Sequence, residues 1–350
     1  MQPIKVLIVD DSALIRSILS EIVRSDPQLI LVGAAPDAYV AKDLVNQYAP
    51  DVITLDVEMP KVDGLTFLDR LMKARPTPVI MISSLTESGA EVTFRALELG
   101  AVDFIAKPKL DIRHGIEAYQ QEIIHKIKNA AGANVRRPRL KLGLTPRDSG
   151  HFLTSEKILA IGASTGGTEA IKDLLLQLPA DFPAILITQH MPPGFTRTFA
   201  ARLDRLCSMS VSEAVDNERI LPGHAYLAPG DKHLTIKRSG ADYRIVLDDR
   251  PRVSGHKPSV DVMFGSVAEV AGPNSVAVIL TGMGRDGAIG IQAIAGQGGY
   301  CLAQDEHSSV IFGMPKEAIK TGVVHQVLPL DQFGEALIQI FKQIGKNYRT

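Results

Sequence analysis

Along most of this chain, short runs rich in valine, isoleucine and leucine alternate with amphipathic stretches of helical period. That alternation narrows the fold more than any other feature. "KVLIVD" (5–10), "LILVGAA" (29–35), "DVITLD" (51–56), "PVIMISS" (78–84) and "DFIAKP" (103–108) have the nearly continuous apolar character of strands buried on both faces. Between them, "SALIRSILSEIV" and "DGLTFLDRLMKA" place their apolar residues along one helical stripe. Strands joined by helices run parallel, and the helices cover both faces of the sheet. Five such βα units predict a flavodoxin-like (βα)5 domain over residues 3–125.

The pattern dissolves after the helical stretch "IEAYQQEIIHKIKNA". Residues 126–153 are expected to be a linker, with glycines, prolines and several arginines and lysines among them. The alternation restarts with "KILAIGA", "AILITQH", "SVAVILTG" and "YCLAQ", which predicts a second, doubly wound parallel-sheet α/β domain over 154–346. Within it, "LPGHAYLAPGDKHLTI" and "YRIVLDD" carry Pro-Gly turns between short strands and suggest inserted β-hairpins. "DQFGEALIQIFKQI" reads as a packed terminal helix.

Bulk properties exclude several classes. A formal net charge of -1 gives no overall electrostatic grip on nucleic acid or on an anionic membrane. Cys207 and Cys301 are the only cysteines, too few for a disulfide framework or a cysteine zinc site. The first apolar run meets acidic residues at once, unlike a signal peptide, and no apolar run is long enough to span a bilayer. The expectation is a cytoplasmic protein that is not inserted in a membrane.

Ligands of parallel α/β sheets bind outside the carboxyl ends of the strands. Asp10 and Asp11 end one strand of the first domain, Asp56 another, Ser83 and Ser84 a third, and Lys107 a fourth. Single aspartates after strands often only cap helices. A set of carboxylates with a hydroxyl and a lysine points further. Carboxylates brought together repel unless a cation lies between them, oxygen ligands suit Mg²⁺, and a lysine suits a phosphoryl oxygen. Such a pocket makes a carboxylate a phosphoryl acceptor.

Through "VDDS" (9–12), "LDVEMPKVDG" (55–64), Ser83 and "KP" (107–108), this region resembles the response-regulator receiver domains. The resemblance implies that Asp56 accepts phosphate from a histidine kinase, with Asp10, Asp11, Asp56 and the backbone carbonyl of Glu58 around Mg²⁺. It also implies phosphoryl-binding roles for Ser83 and Lys107, and an aromatic switch at Phe104. A new dianion would reorganise those contacts and move the adjoining surface.

In the second domain, "GASTGG" (162–167) fits G-x-S-x-G, where glycines allow a tight turn and leave the Ser164 hydroxyl exposed. Alone it leaves a nucleophile, a phosphate cradle and a plain turn open. His190 follows the strand "AILITQ" and Asp286 lies in "TGMGRDG" after "SVAVILTG", so three strand ends would present serine, imidazole and carboxylate at one edge. That is the constellation of acyl transfer. Asp305, after "YCLAQ", competes with Asp286, and His190 alone would be an ordinary turn residue.

"AIGASTGGTEAI", "TQHMPPGFT", "LPGHAYLAPGDKH", "HKPSVDVMF" and "LTGMGRDG" resemble the chemotaxis protein-glutamate methylesterases, and a receiver joined to such a domain is their domain order. The resemblance implies Ser164 as nucleophile, His190 as base and Asp286 as orienting carboxylate, with no cofactor for the ester chemistry. The amides of Met283, flanked by glycines, and of Thr165 are expected to meet the oxyanion. The implied reaction is hydrolysis of glutamate γ-methyl esters on the cytoplasmic helices of chemoreceptors, with deamidation of receptor glutamines by the same steps. An unphosphorylated receiver is expected to restrict access to Ser164. His256 in "HKPSVD" could lie near the substrate, but reads first as a turn or cap residue. The alternative is a receiver-controlled effector that binds nucleic acid or a nucleotide.

Overall fold

The computed structural model describes residues 2–59, 62–84, 86–107, 116–135 and 156–344. They fall into two compact units, before and after residue 140.

In the first unit strands and helices alternate: β1 (Ile4–Val9), α1 (Ala13–Arg24), β2 (Leu29–Ala35), α2 (Ala38–Tyr48), β3 (Val52–Asp56), α3 (Gly64–Ala74), β4 (Val79–Ser83), α4 (Glu87–Glu98), β5 (Asp103–Ala106) and α5 (Ile116–Ala131). The sheet order is β2-β1-β3-β4-β5, parallel throughout. Val6 to Val9, Val52, Ile53 and Leu55 are completely buried, as two covered faces require. Ser12, Asp37, Asp63 and Thr86 cap α1 to α4 by accepting first-turn amides, each contributing about 1 kcal/mol. Because the chain leaves β1 towards β2 and then crosses to β3, the carboxyl ends of β1 and β3 flank the switch point where a crevice opens.

One boundary is corrected. Residues 126–131, expected in the linker, are the last turns of α5, and Ile127 and Ala130 are buried with Ile123. The apolar stripe that anchors this helix continues past residue 125, as the helical run quoted through Ala130 also does, so the linker starts after α5 and not at 126. The rest of the expected linker, from 136, lies outside the described residues, as does Pro108.

The second unit contains β6 (Ile158–Ala163), α6 (Gly167–Leu175), β7 (Ala184–Gln189), α7 (Phe195–Leu206), β8 (Ser210–Glu213), β9 (His224–Leu227), β10 (His233–Ser239), β11 (Asp242–Asp248), α8 (Val260–Ala271), β12 (Ser275–Ile279), α9 (Ala288–Gly296), β13 (Tyr300–Gln304), α10 (Met314–Lys320), β14 (Gln326–Leu328) and α11 (Phe333–Ile344). Its main sheet, β14-β13-β12-β6-β7-β9-β8, is parallel throughout. The expected hairpin insertion is the antiparallel pair β10–β11, joined at Ser239 and Asp242. "HAYL" is not part of a hairpin: β9 pairs in parallel with both β7 and β8. The Pro-Gly turns around it suggested otherwise, but Ala225, Tyr226 and Leu227 are all buried, which suits a covered parallel strand.

Helix α8 lies under the hairpin and over the sheet. Its Val260, Met263, Phe264 and Val267 are fully buried, each contributing roughly 1.5–3 kcal/mol. Gly162 of β6 is the reason for the close fit, since a Cβ there would come 2.3 Å from Val260 Cγ1. This contact brings the start of α8 against the carboxyl end of β6.

Candidate active site and phosphoryl-acceptor pocket

At the carboxyl ends of β1 and β3, one oxygen from each of Asp10, Asp11 and Asp56 lies within 4.8 Å of the others. Asp10 and Asp56 are buried and Asp11 is exposed. Lys107 Nζ donates to Asp56 Oδ2 at 2.8 Å and stands 4.0 Å from Asp10 Oδ2, which accepts no hydrogen bond. Burial and then the charge of Asp56 push Asp10 up to about 6. Burial also raises Asp56, against the opposing pull of Lys107. Lys107 is raised as well: burial acts against its charge, but Asp56 and the charges of Asp10 and Asp11 outweigh it. A buried carboxylate oxygen without a donor, inside a triangle of acids, fits a hard divalent cation. Glu58 follows closely, its amide donating to Asp56 Oδ1 at 3.3 Å.

The other receiver residues are placed differently. Ser83 does not offer its hydroxyl to Asp56. It donates to Gly89 O at 3.2 Å and accepts from Thr93 Oγ1 at 2.7 Å, so it is tied to the start of α4. Phe104 is buried, with Lys126 Nζ 5.3 Å from its ring centroid.

In the second unit, Ala163 and Gln189 are register partners on β6 and β7, so Ser164 and His190 leave the sheet side by side. His190 N donates to Ala163 O at 3.2 Å, and the Gln189 amide donates to Ser164 O at 2.9 Å and His190 O at 3.3 Å. Gly166 turns the chain into α6 at φ +76, where a Cβ would meet Val310. The Ser164 hydroxyl makes no hydrogen bond with the imidazole.

The third strand end delivers the acid. His190 Nε2 lies 2.8 Å from Asp286 Oδ2, and its Nδ1 is buried without a hydrogen-bond partner. Asp286 Oδ2 also accepts Val260 N at 2.7 Å, and Oδ1 accepts Ser259 Oγ at 2.8 Å and Asp261 N at 3.1 Å. Burial alone would raise this carboxyl, but His190 and the two amides outweigh it and hold it at about 2. Asp286 therefore caps α8 while orienting the imidazole, and stays ionised. Asp305 is out of contention: it caps its own turn by accepting Ser308 N at 2.9 Å.

Several neighbours carry no sequence signal of their role. The His256 ring stacks on His190 at 3.7 Å between centroids and 7° between planes. It also closes the turn with Val253, as expected of it. A Cβ on Gly282 would lie 2.8 Å from Ser164 Cβ, so only glycine lets this loop approach the serine. The next amide, that of Met283, donates no hydrogen bond among the described residues. Thr165 is buried, and its carbonyl accepts Thr281 Oγ1 at 3.0 Å. Met283 and Thr165 are expected near the oxyanion from the sequence, and Ser259 could also have been found beforehand, as a serine preceding an apolar helical run. The stacking of His256 and the close approach of Gly282 could not.

A carboxylate pocket closed by a lysine fits a phosphorylation-controlled receiver, and a serine, an imidazole and a carboxylate at neighbouring strand ends fit a hydrolytic site. The class is a response regulator with a hydrolytic effector half. A family model described as "Response regulator receiver domain" matches residues 6–119, and one described as "CheB methylesterase" matches 159–337. "Protein-glutamate methylesterase/protein-glutamine glutaminase 2" of Pseudomonas aeruginosa is 60% identical over 99% of both chains. "Protein-glutamate methylesterase/protein-glutamine glutaminase" of Salmonella typhimurium is 55% identical over 97% of both. The crystal structure of the Thermotoga maritima CheB methylesterase catalytic domain covers 53% of this chain and 100% of its own, at 40% identity and a TM-score of 0.52. The chain belongs to the protein-glutamate methylesterase/protein-glutamine glutaminase family. Nothing in these matches supports a nucleic-acid- or nucleotide-binding effector.

Proposed function

We propose that the chain hydrolyses γ-methyl esters of protein glutamates and deamidates protein glutamines, with Ser164 as nucleophile, His190 as base and Asp286 as the carboxylate that fixes the base. The observation that carries this reading is the 2.8 Å contact of His190 Nε2 with a four-donor carboxylate, which leaves the Nδ1 lone pair without a hydrogen bond on a residue whose strand end adjoins that of Ser164.

In that arrangement Nδ1 takes the Ser164 proton as Oγ attacks the ester carbonyl, and Asp286 stabilises the imidazolium without being protonated. The tetrahedral intermediate collapses as the imidazolium returns the proton to the departing methoxide, giving methanol and an acyl-enzyme. Water, deprotonated by His190, then frees the glutamate and restores Ser164. With a primary amide the leaving group is ammonia. The Met283 amide, which donates to no group among the described residues and lies one residue from the Gly282 contact, is the first candidate to meet the oxyanion, and the Thr165 amide the second.

Control runs through Asp56, which accepts the phosphoryl group from a histidine kinase. Asp10, Asp11, Asp56 and the Glu58 carbonyl would hold Mg²⁺, which supplies neutralising charge to the carboxylates and phosphoryl oxygens. Lys107 meets the phosphoryl group, and Ser83 does so by leaving Gly89 and Thr93. Among the described residues no helix is long and apolar enough to cross a membrane. The substrate class is the cytoplasmic helices of chemoreceptors, which places the chain in the cytoplasm.

Methanol release from methylated receptor membranes tests this. Ser164→Ala should lower the rate by about 10⁴-fold or more; an unchanged rate would refute the nucleophile. Asp56→Asn should keep basal hydrolysis and lose all stimulation by a phosphodonor.

A further inference from the structure

We propose that Asp261 is the positioning residue of the hydrolytic site: it anchors the loop that carries Asp286, and through Asp286 it sets the imidazole of His190. The inference rests on the hydrolase reading above. Two helices begin beside this loop, α8 just after Ser259 and α9 just after Gly287, and each is capped by an acid from the other. Asp286 accepts the amides of Val260 and Asp261 in α8. Asp261 Oδ1 in turn accepts Gly287 N at 2.8 Å, Ile289 N at 3.1 Å and Gly290 N at 2.8 Å at the start of α9. Asp261 thus holds the Asp286 loop twice, by its own amide and by its carboxylate.

On the α9 side, the N-cap residue itself supplies no such anchor. The α9 N-cap is Gly287, which has no capping side chain and sits at φ +94. A Cβ there would come 2.8 Å from Val260 Cγ1, and one on Gly290 would come 3.1 Å from Asp261 Cα, so the two helix starts are in close contact. Ser254 Oγ lies 3.4 Å from Asp261 Oδ2, in the turn whose His256 stacks on His190. Both sides of the catalytic imidazole are therefore tied to one carboxylate that touches neither His190 nor Ser164. Without it, three amides at the start of α9 lose their acceptor and Asp286 is held only from the α8 side, by Ser259 Oγ and two amides. The loop can then shift the carboxylate, and a displacement of about 1 Å is worth about a hundredfold in rate.

The test uses the full-length chain, methanol release from methylated receptor membranes, and the downfield proton resonance of His190 Nε2–H. Asp261→Ala should lower kcat roughly ten- to a hundredfold while leaving KM within about twofold, and the resonance should weaken or move upfield. Asp261→Asn retains a capping oxygen and should recover kcat to within about threefold of wild type. If the alanine chain does not fold, Asp261→Glu decides: it keeps the charge but lengthens the arm, and should still lose about tenfold in kcat. A folded alanine variant, or the glutamate variant, with wild-type kcat and an unmoved resonance overturns the inference. A wild-type chain that releases no methanol refutes the hydrolase reading instead.

Discussion

Asp10 and Asp286 are both buried aspartates at the carboxyl edge of a parallel sheet, yet they are built to opposite ends. Asp286 receives four donors, two of them helix amides, and is held at about 2. Asp10 receives Ser12 N at one oxygen, has no hydrogen bond at the other, from which Lys107 Nζ stands 4.0 Å, and is pushed up to about 6 by burial and its acidic neighbours. The count of donors and the sign of the neighbouring charge, rather than burial, separate them. A satisfied carboxylate is a fixed part, suited to orienting a base through repeated turnovers. An underpaired cluster stores repulsion that a cation or a phosphoryl group with its lysine can relieve, which suits a switch.

The largest test of this contrast is Asp286→Asn. The amide keeps one acceptor for the α8 cap but removes the charge that stabilises the imidazolium, so the hydrolysis rate should fall by roughly 10⁴-fold with the fold intact. A loss below tenfold would mean that Asp286 is chiefly a helix cap. Next comes Gly282→Ala, whose Cβ would fall 2.8 Å from Ser164 Cβ. It should lower kcat by about a hundredfold and cost about 1–3 kcal/mol in a urea melt, because the loop and the serine cannot both keep their places. Equal activity would show that the loop can move away freely.

The smallest effect is in stability against pH, where the two aspartates should diverge in sign. Asp10 in the folded state binds its proton more tightly than the ordinary value of 3.8, so the first unit should lose on the order of 1–3 kcal/mol as pH rises from about 4 to about 6. Asp286 lies below 3.8, so its contribution is present above that pH and is lost as pH falls towards 2. Denaturant melts of the two units across this range check both signs. Millimolar Mg²⁺ should flatten the first curve and leave the second alone; identical responses would remove the contrast.

Much of this was legible in the sequence because it depends on local pattern. Buried parallel strands need unbroken apolar runs, and ligand-binding groups follow such runs at their carboxyl ends, so position put Ser164, His190, Asp286, Asp10, Asp56 and Lys107 forward as candidates. The choice of Asp286 over Asp305, and of a nucleophile over a plain turn, came from the family resemblance. "HAYL" misled, because a Pro-Gly turn has the same local chemistry whether the next strand pairs with its neighbour or joins a distant sheet. Ser83 was found at the right strand end, but a hydroxyl rotates, and its bonds to Gly89 and Thr93 were invisible.

The sequence by itself determined the two parallel sheets and which chemical groups stand at their edges, since periodicity and strand direction follow from the order of residues. Only the tertiary structure decided which nitrogen of His190 faces Asp286, that His256 stacks on it, and that Asp261 and Asp286 exchange helices. Those outcomes depend on distances between segments far apart along the chain, which are set when whole helices pack and have no counterpart in any local pattern.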